Sequence, residues 1–168
     1  FIGERNFNNF LKNYLPNQPG DVINIKTKEV VGKHIGLMHY TIGQRRGLDI
    51  GGTKERMFVV GKDLAKNILY IATGQANEYL ITTSCVINEV NWLTDRHITK
   101  ATAKFRYRQK DIDVELTYLE NDEILVTYSA GAKAVTPGQA CVLYDKEQCL
   151  GGGIIKEVRK NNQKLWYL

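Results

Sequence analysis

From about Thr83 onward the chain is a succession of short β-rich runs, at 85–92, 99–108, 112–119, 124–128, 140–144 and 149–158, with turn residues between them. Six such strands at fairly regular spacing predict a small antiparallel barrel, an arrangement that leaves no sheet edge exposed. A chain of 168 residues accommodates one ordinary domain or two small ones. We place a boundary near Tyr79 to Thr83, giving an α+β domain over 1–82 and a barrel domain over 83–168. The fold class expected is therefore mainly β, a small α+β domain followed by a six-stranded antiparallel β-barrel.

Before the boundary the pattern is mixed. Phe7, Phe10, Leu11 and Tyr14 recur at helical spacing, with Asn6 as cap and Pro16 as stop, which predicts a short amphipathic helix. After the breaker-rich stretch 16–20, the β-branched run Val22, Ile23 and Ile25, a polar interval and then Val30-Val31 predict a β-hairpin. A second hairpin is expected from Met57-Phe58-Val59-Val60 and Ile68-Leu69-Tyr70-Ile71. The tail 159–168 has no assignment beyond Trp166 as the residue to dock it.

Three stretches carry candidate chemistry. In Gly36-Leu37-Met38-His39-Tyr40-Thr41-Ile42-Gly43-Gln44-Arg45-Arg46-Gly47, an apolar run gives way to one amide and two guanidinium groups between glycines. That pattern suits polyanion recognition, through donors held in fixed planes; a short helix with a solvated basic end fits it as well. In Lys104-Phe105-Arg106-Tyr107-Arg108-Gln109-Lys110, an extended strand sets Lys104, Arg106 and Arg108 on one face, with Phe105 and Tyr107 on the other. Such a row suits phosphates, and Tyr107 suits an unpaired base. The alternative is internal pairing of Arg108 with Asp111, Arg106 with Asp113 and Lys104 with Glu115, which needs a tight turn at Gln109-Lys110. Neither residue takes φ > 0 readily, so a wider loop competes with that register. The third stretch is the Pro137-Gly138 turn leading to Gln139, followed downstream by Gly151-Gly152-Gly153, where backbone approaches closely.

Cys85, Cys141 and Cys149 form no CxxC pair and are read as buried thiols, although Cys141 and Cys149 flank a turn and are placed to face each other across a hairpin. Together with His34, His39 and His97 they lack the clustering of a metal site. A formal charge of +5 adds a mild attraction to nucleic acid. No apolar run approaches the roughly 20 residues that cross a bilayer, and no signal-peptide pattern opens the chain, so no membrane partner and a cytoplasmic location are expected. Phe1 and its neighbours read as the interior of a longer protein.

Taken in order, Phe1-Ile2-Gly3-Glu4-Arg5, Phe10-Leu11, Tyr14-Leu15-Pro16, Gly36-Leu37-Met38, Thr41-Ile42-Gly43-Gln44-Arg45, Arg106-Tyr107-Arg108-Gln109, Thr136-Pro137-Gly138-Gln139 and Cys149-Leu150-Gly151-Gly152-Gly153 resemble the central and C-terminal domains of the bacterial-type tRNA-specific 2-thiouridylases. The resemblance implies a full-length sulfurtransferase whose separate N-terminal domain uses ATP, with magnesium, to adenylate the C2 oxygen of the wobble uridine of tRNA. It implies a cysteine persulfide as sulfur carrier, and a cysteine desulfurase or sulfur-relay protein as donor. Neither catalytic cysteine of the family matches Cys85, Cys141 or Cys149, so no catalytic residue and no cofactor are expected in this part, which is expected to be inactive alone. Arg106, Tyr107 and Gln139 match residues that hold tRNA in the family; Arg108, Gln44, Arg45 and Arg46 join them on the charge argument. A different class, a translation-factor-like barrel serving protein interaction with its cations paired internally, is the alternative.

Overall fold

The computed structural model describes residues 16–48, 56–74, 77–94, 97–107 and 109–168. The expected helix at 6–14, the motif at 1–5 and Arg108 lie outside them. The chain divides into two compact units, residues 1–76 with Tyr167 and residues 77–166 with Leu168.

In the first unit, β1 (Gly20–Asn24) and β2 (Val30–His34) form the expected antiparallel hairpin, as do β3 (Met57–Asp63) and β4 (Ile68–Thr73). The hairpins join through parallel pairing of β1 with β4, giving the order β2-β1-β4-β3. Val22, Val59, Leu69 and Ile71 are fully buried and form the centre of its core. Polar side chains shape both turns. Asn24 Oδ1 accepts the Lys26 and Thr27 amides at 3.0 and 3.4 Å, and Asp63 Oδ1 accepts the Lys66 amide at 2.9 Å. Asn67, at φ 54°, then ties the second turn to the first hairpin. Its Nδ2 donates to the Pro19 carbonyl at 2.9 Å, and its own carbonyl accepts from His34 Nε2 at 3.0 Å.

The second unit opens with one helical turn, α1 (Asn77–Leu80), followed by β5 (Ile81–Trp92), β6 (Lys100–Lys104), β7 (Ile112–Tyr118), β8 (Ile124–Lys133), β9 (Ala140–Asp145), β10 (Gln148–Lys160) and the short β11 (Gln163–Lys164). Strands β5 to β10 pair in the order β10-β5-β8-β7-β6-β9, and β9 returns to β10, which closes the six-stranded antiparallel barrel. Cys85, Ala103, Val126, Tyr128, Cys141 and Leu143 are fully buried in this unit. The Tyr128 hydroxyl lies 2.9 Å from Thr82 Oγ1, and burial pushes its pKa upward. The Cys85 thiol is likewise held well above its ordinary range, by a hydrogen bond with Cys141 and by burial.

Three details depart from the sequence reading. The strand expected over 99–108 ends at Lys104, and residues 105–107 bend away from it, so the alternating row of cations does not continue. The register of β6 on β7 is Lys100↔Glu115 and Thr102↔Asp113, four residues from the tight-turn pairing of Lys104 with Glu115 and Arg106 with Asp113. Gln109-Lys110 cannot supply a primed turn, and a wide loop takes its place, whereas Asn121 and Asp122, at φ 58° and 57°, supply such a turn between β7 and β8. Cys149 stands opposite Tyr144 and Cys141 opposite Gly153, so the two cysteines of that hairpin do not face each other. In the tail, Trp166 is 61% exposed while Leu165 and Tyr167 are buried.

The β10–β11 hairpin rests on one carboxylate. Glu157 Oε1 lies 2.5 Å from Arg159 Nη2, and its Oε2 lies 3.2 Å from Lys164 Nζ. Burial raises the Glu157 pKa, but the hydrogen bonds from Arg159 and Lys164 outweigh it and hold the carboxyl below its ordinary value. A carboxyl with a depressed folded-state pKa stabilises above its unfolded pKa, near 4.3, and loses that contribution as pH falls through the folded value. Glu157→Gln is therefore expected to cost about 1 kcal/mol or less at pH 7. Melting curves at pH 7 and pH 3 check it: the gap between parent and variant should narrow at the lower pH.

Candidate nucleic-acid interface

Phe105 is the anchor of the site. Immediately after β6 its ring turns into the barrel, 2% exposed, with its centroid 4.9 Å from that of Tyr128. The next two residues are thereby delivered to the surface. Arg106 is half-buried, and burial lowers its guanidinium pKa. Tyr107 is 94% exposed, and its hydroxyl has no partner among the described residues. The Gln109 amide donates to the Arg106 carbonyl at 3.0 Å and closes the turn.

Gln139 arrives from the opposite side, at the foot of β9. Gly138 takes φ 81° and donates to the Ile155 carbonyl at 2.8 Å, while the Gln139 carbonyl accepts the Ile155 amide at 2.8 Å. The backbone is thus tied to β10, and among the described residues the Gln139 side-chain amide has no hydrogen-bond partner. Between the two segments lies a cleft of about 570 Å³ lined by Lys104, Phe105, Arg106, Tyr107, Gln139, Ala140, Val142 and Tyr144. Lys104 Nζ is 3.1 Å from Asp111 Oδ1 and 5.3 Å from the centroid of the Tyr144 ring.

Arg106 and Tyr107, and Gln139 more than thirty residues further along the sequence, therefore share one cleft. The remaining candidates lie in the first unit. There residues 37–39 form a single 3-10 turn, and Gly43 and Gln44 are hydrogen-bonded to Val59. The Gln44 side chain braces its own loop, Oε1 accepting the Thr41 amide at 2.9 Å and Nε2 donating to the Arg46 carbonyl at 3.0 Å. Arg45 and Arg46 are exposed. Tyr144 is not among the sequence-predicted site residues, where it stands only as the end of the run over 140–144 and the start of the turn after it. The signal was present in the two-residue period, because Ala140, Val142 and Tyr144 project from the same face of β9. Among the described residues no group of three or more His, Cys, Asp or Glu side chains is placed to hold a metal, and no helix is long and apolar enough to cross a membrane.

A four-stranded unit followed by a closed six-stranded barrel with a cleft at the β6 end defines a β protein of two compact units, and comparison with known proteins gives it a family. Residues 8–73 match the family model of the tRNA methyl transferase PRC-barrel domain, and residues 82–155 match that of the aminomethyltransferase β-barrel domain. The tRNA-specific 2-thiouridylase MnmA of Geobacillus thermodenitrificans (strain NG80-2) is 54% identical over 171 residues, covering 100% of this chain and 46% of that protein. That of Mesoplasma florum is 51% identical over 162 residues, covering 92% of this chain and 43% of the relative. That of Mycoplasmopsis pulmonis is 48% identical over 168 residues, covering 99% and 45%. The chain belongs to the tRNA-specific 2-thiouridylase family, as its central and C-terminal domains. It spans just under half the length of the curated relatives it matches.

Proposed function

We propose that this chain is the tRNA-holding part of a tRNA-specific 2-thiouridylase, a cytoplasmic sulfurtransferase that replaces oxygen by sulfur at C2 of the wobble uridine. In the whole enzyme the ATP-dependent activation of the uridine and the delivery of sulfur from a cysteine persulfide, charged by a desulfurase or relay protein, fall to a domain beyond this chain. The part described here supplies no catalytic group. Its contribution is to position the substrate, with Arg106 directed at a phosphate and Tyr107 and Gln139 at the nucleotide, and with Arg108, Arg45 and Arg46 adding positive charge. Gln44 serves indirectly, by bracing the loop that carries Arg45 and Arg46.

The observation that carries this reading is the convergence of Arg106, Tyr107 and Gln139 on one cleft. Phosphate contacts set register and orientation, which is what a reaction carried out by another domain requires. Internal pairing, the basis of the protein-interaction alternative, holds for Lys104 with Asp111 and Lys100 with Glu115. The ladder register that would set Arg106 opposite Asp113 is not the one formed, since Asp113 stands opposite Thr102.

Binding of a wobble-uridine tRNA at two salt concentrations tests the proposal. The parent should bind with steep salt dependence, and Arg106→Ala should weaken binding and lower the salt slope by about one. Gln139→Ala should weaken it with the slope unchanged. Affinity indifferent to both substitutions would return the barrel to the protein-interaction reading.

A further inference from the structure

We propose that the outer face of β10 is a docking groove for an extended segment of a separate protein chain, apolar with one basic residue, and that Glu89 selects its cation. The groove is distinct from the cleft that holds Arg106 and Gln139, although Ala140 and Val142 border both. Close strand packing makes it. A Cβ on Gly151, Gly152 or Gly153 would stand 2.3, 2.2 or 2.6 Å from the carbonyl oxygens of Asn91, Cys141 and Asn88. Three successive residues are therefore bare of side chains, which leaves a shallow trough of about 300 Å³. Its borders are apolar. Val142 lines it from β9, and Leu93, 62% exposed, and Ile154, 37% exposed, line it from the strands beside and beneath.

Charge decides what covers it. The chain carries +5 and the cleft is lined by Lys104 and Arg106, yet Glu89 is the only charged residue that lines the trough. Such a lining repels a polyanion and attracts a cation. The backbone singles out the same residue. Between the pairs Gly152↔Asn91 and Ile154↔Asn88, Glu89 and Val90 oppose Gly153 alone, which is a β-bulge, and Glu89 takes φ 50°. Bulges re-aim side chains, and glycine is the residue that a left-handed position favours. A glutamate stands there instead, and its carboxylate has no hydrogen-bond or ion-pair partner among the described residues. Asn91, two residues on, also lines the trough, and its side-chain amide is likewise without a partner among the described residues. A primary amide carries a donor and an acceptor in one plane, the complement of a peptide unit. Carboxylate, amide and apolar border thus answer, in turn, a lysine or arginine, the main chain and the aliphatic side chains of an extended segment.

Amide NMR on the isotope-labelled 168-residue chain tests this, by titration with three blocked tripeptides, acetyl-Leu-Lys-Leu-amide, acetyl-Leu-Glu-Leu-amide and acetyl-Ser-Lys-Ser-amide. The first should move the signals of Leu93 and of residues 151–153. It should bind about two- to fivefold more tightly than the second, the range an exposed ion pair contributes, and more tightly than the third, which lacks the apolar groups. Glu89→Gln should erase the preference for lysine over glutamate. Glu89→Gly should erase it too, yet melt within about 2 °C of the parent or above it, because glycine accepts the left-handed backbone without strain. A lower melting temperature in Glu89→Gly would make the glutamate a structural residue and overturn the inference. Equal affinity for the lysine and glutamate peptides, or signals that move only elsewhere on the chain, would overturn it as well. So would displacement of the first peptide by a seven-nucleotide single-stranded RNA, which would return the trough to nucleic acid.

Discussion

Replacing Phe105 by alanine is expected to destabilise the barrel by about 3–5 kcal/mol, the range for truncating a buried phenylalanine. The ring is 2% exposed and lies against Tyr128, so its removal forfeits apolar burial, the ring–ring contact and close packing together. A domain of this size has about 5–15 kcal/mol of stability in hand, so the loss is a large share of the whole. The consequence reaches the site as well. Phe105 is the last inward residue before the loop bearing Arg106 and Tyr107, and its buried ring ties the start of that loop to the core. Denaturant unfolding followed by circular dichroism should show a lower midpoint for Phe105→Ala, and RNA affinity should fall even where the variant remains folded. A midpoint within about 0.5 kcal/mol of the parent would show that the loop is anchored elsewhere.

Gly151→Ala should be comparably damaging through a different mechanism. Gly151 has φ 139°, a conformation that residues with a Cβ rarely adopt, and an added Cβ would overlap the Asn91 carbonyl oxygen and stand 3.0 Å from Trp92 Cα. Both neighbours are backbone of β5, which is paired along its length and cannot move aside. Backbone strain of about 1–3 kcal/mol and overpacking of about 1–3 kcal/mol act together here. Gly138→Ala separates the two contributions, because Gly138 has φ 81° but open space where the Cβ would lie. Thermal melting should therefore rank the proteins parent, Gly138→Ala, Gly151→Ala in falling order. A melting temperature for Gly151→Ala as high as that of Gly138→Ala would show that β10 shifts to accept the side chain.

The contrast between these two glycines marks the limit of what a sequence reader can see. The hairpins and the barrel strands are legible because apolar residues alternate over 4–8 positions and turn residues separate them. Gly151-Gly152-Gly153 reads in the sequence as a place of close backbone approach without showing to what, since the carbonyls that require it, on Asn91 and Cys141, come from strands β5 and β9. The same non-locality hid Tyr144, whose neighbours Lys104 and Arg106 are some forty residues away. It also hid Asn67, which bonds to residues 18 and 19. The register of β6 on β7 was missed for a more local reason: a wide loop leaves no turn chemistry to count from, and a shift of four keeps every side chain on its own face. Arg106 and Tyr107 stand out by the alternation of cations and aromatic rings, and Gln139 by the turn before it, with the family resemblance joining the three, whereas the Phe105 anchor that presents two of them follows only from the fold.

One contact bears on the order in which the molecule is made. Gly61 has no room for a side chain because the Tyr167 carbonyl sits against it, and that carbonyl accepts the Lys62 amide at 2.9 Å. The first unit therefore includes a residue that leaves the ribosome roughly a hundred positions after β3, when the whole barrel has already been synthesised. At about 5–20 residues per second this is a delay of several seconds, during which β3 waits for a strand-like neighbour and exposes the groups that Tyr167 later covers. The β3 edge of the first unit therefore gains its last backbone partner only once residue 167 has been made.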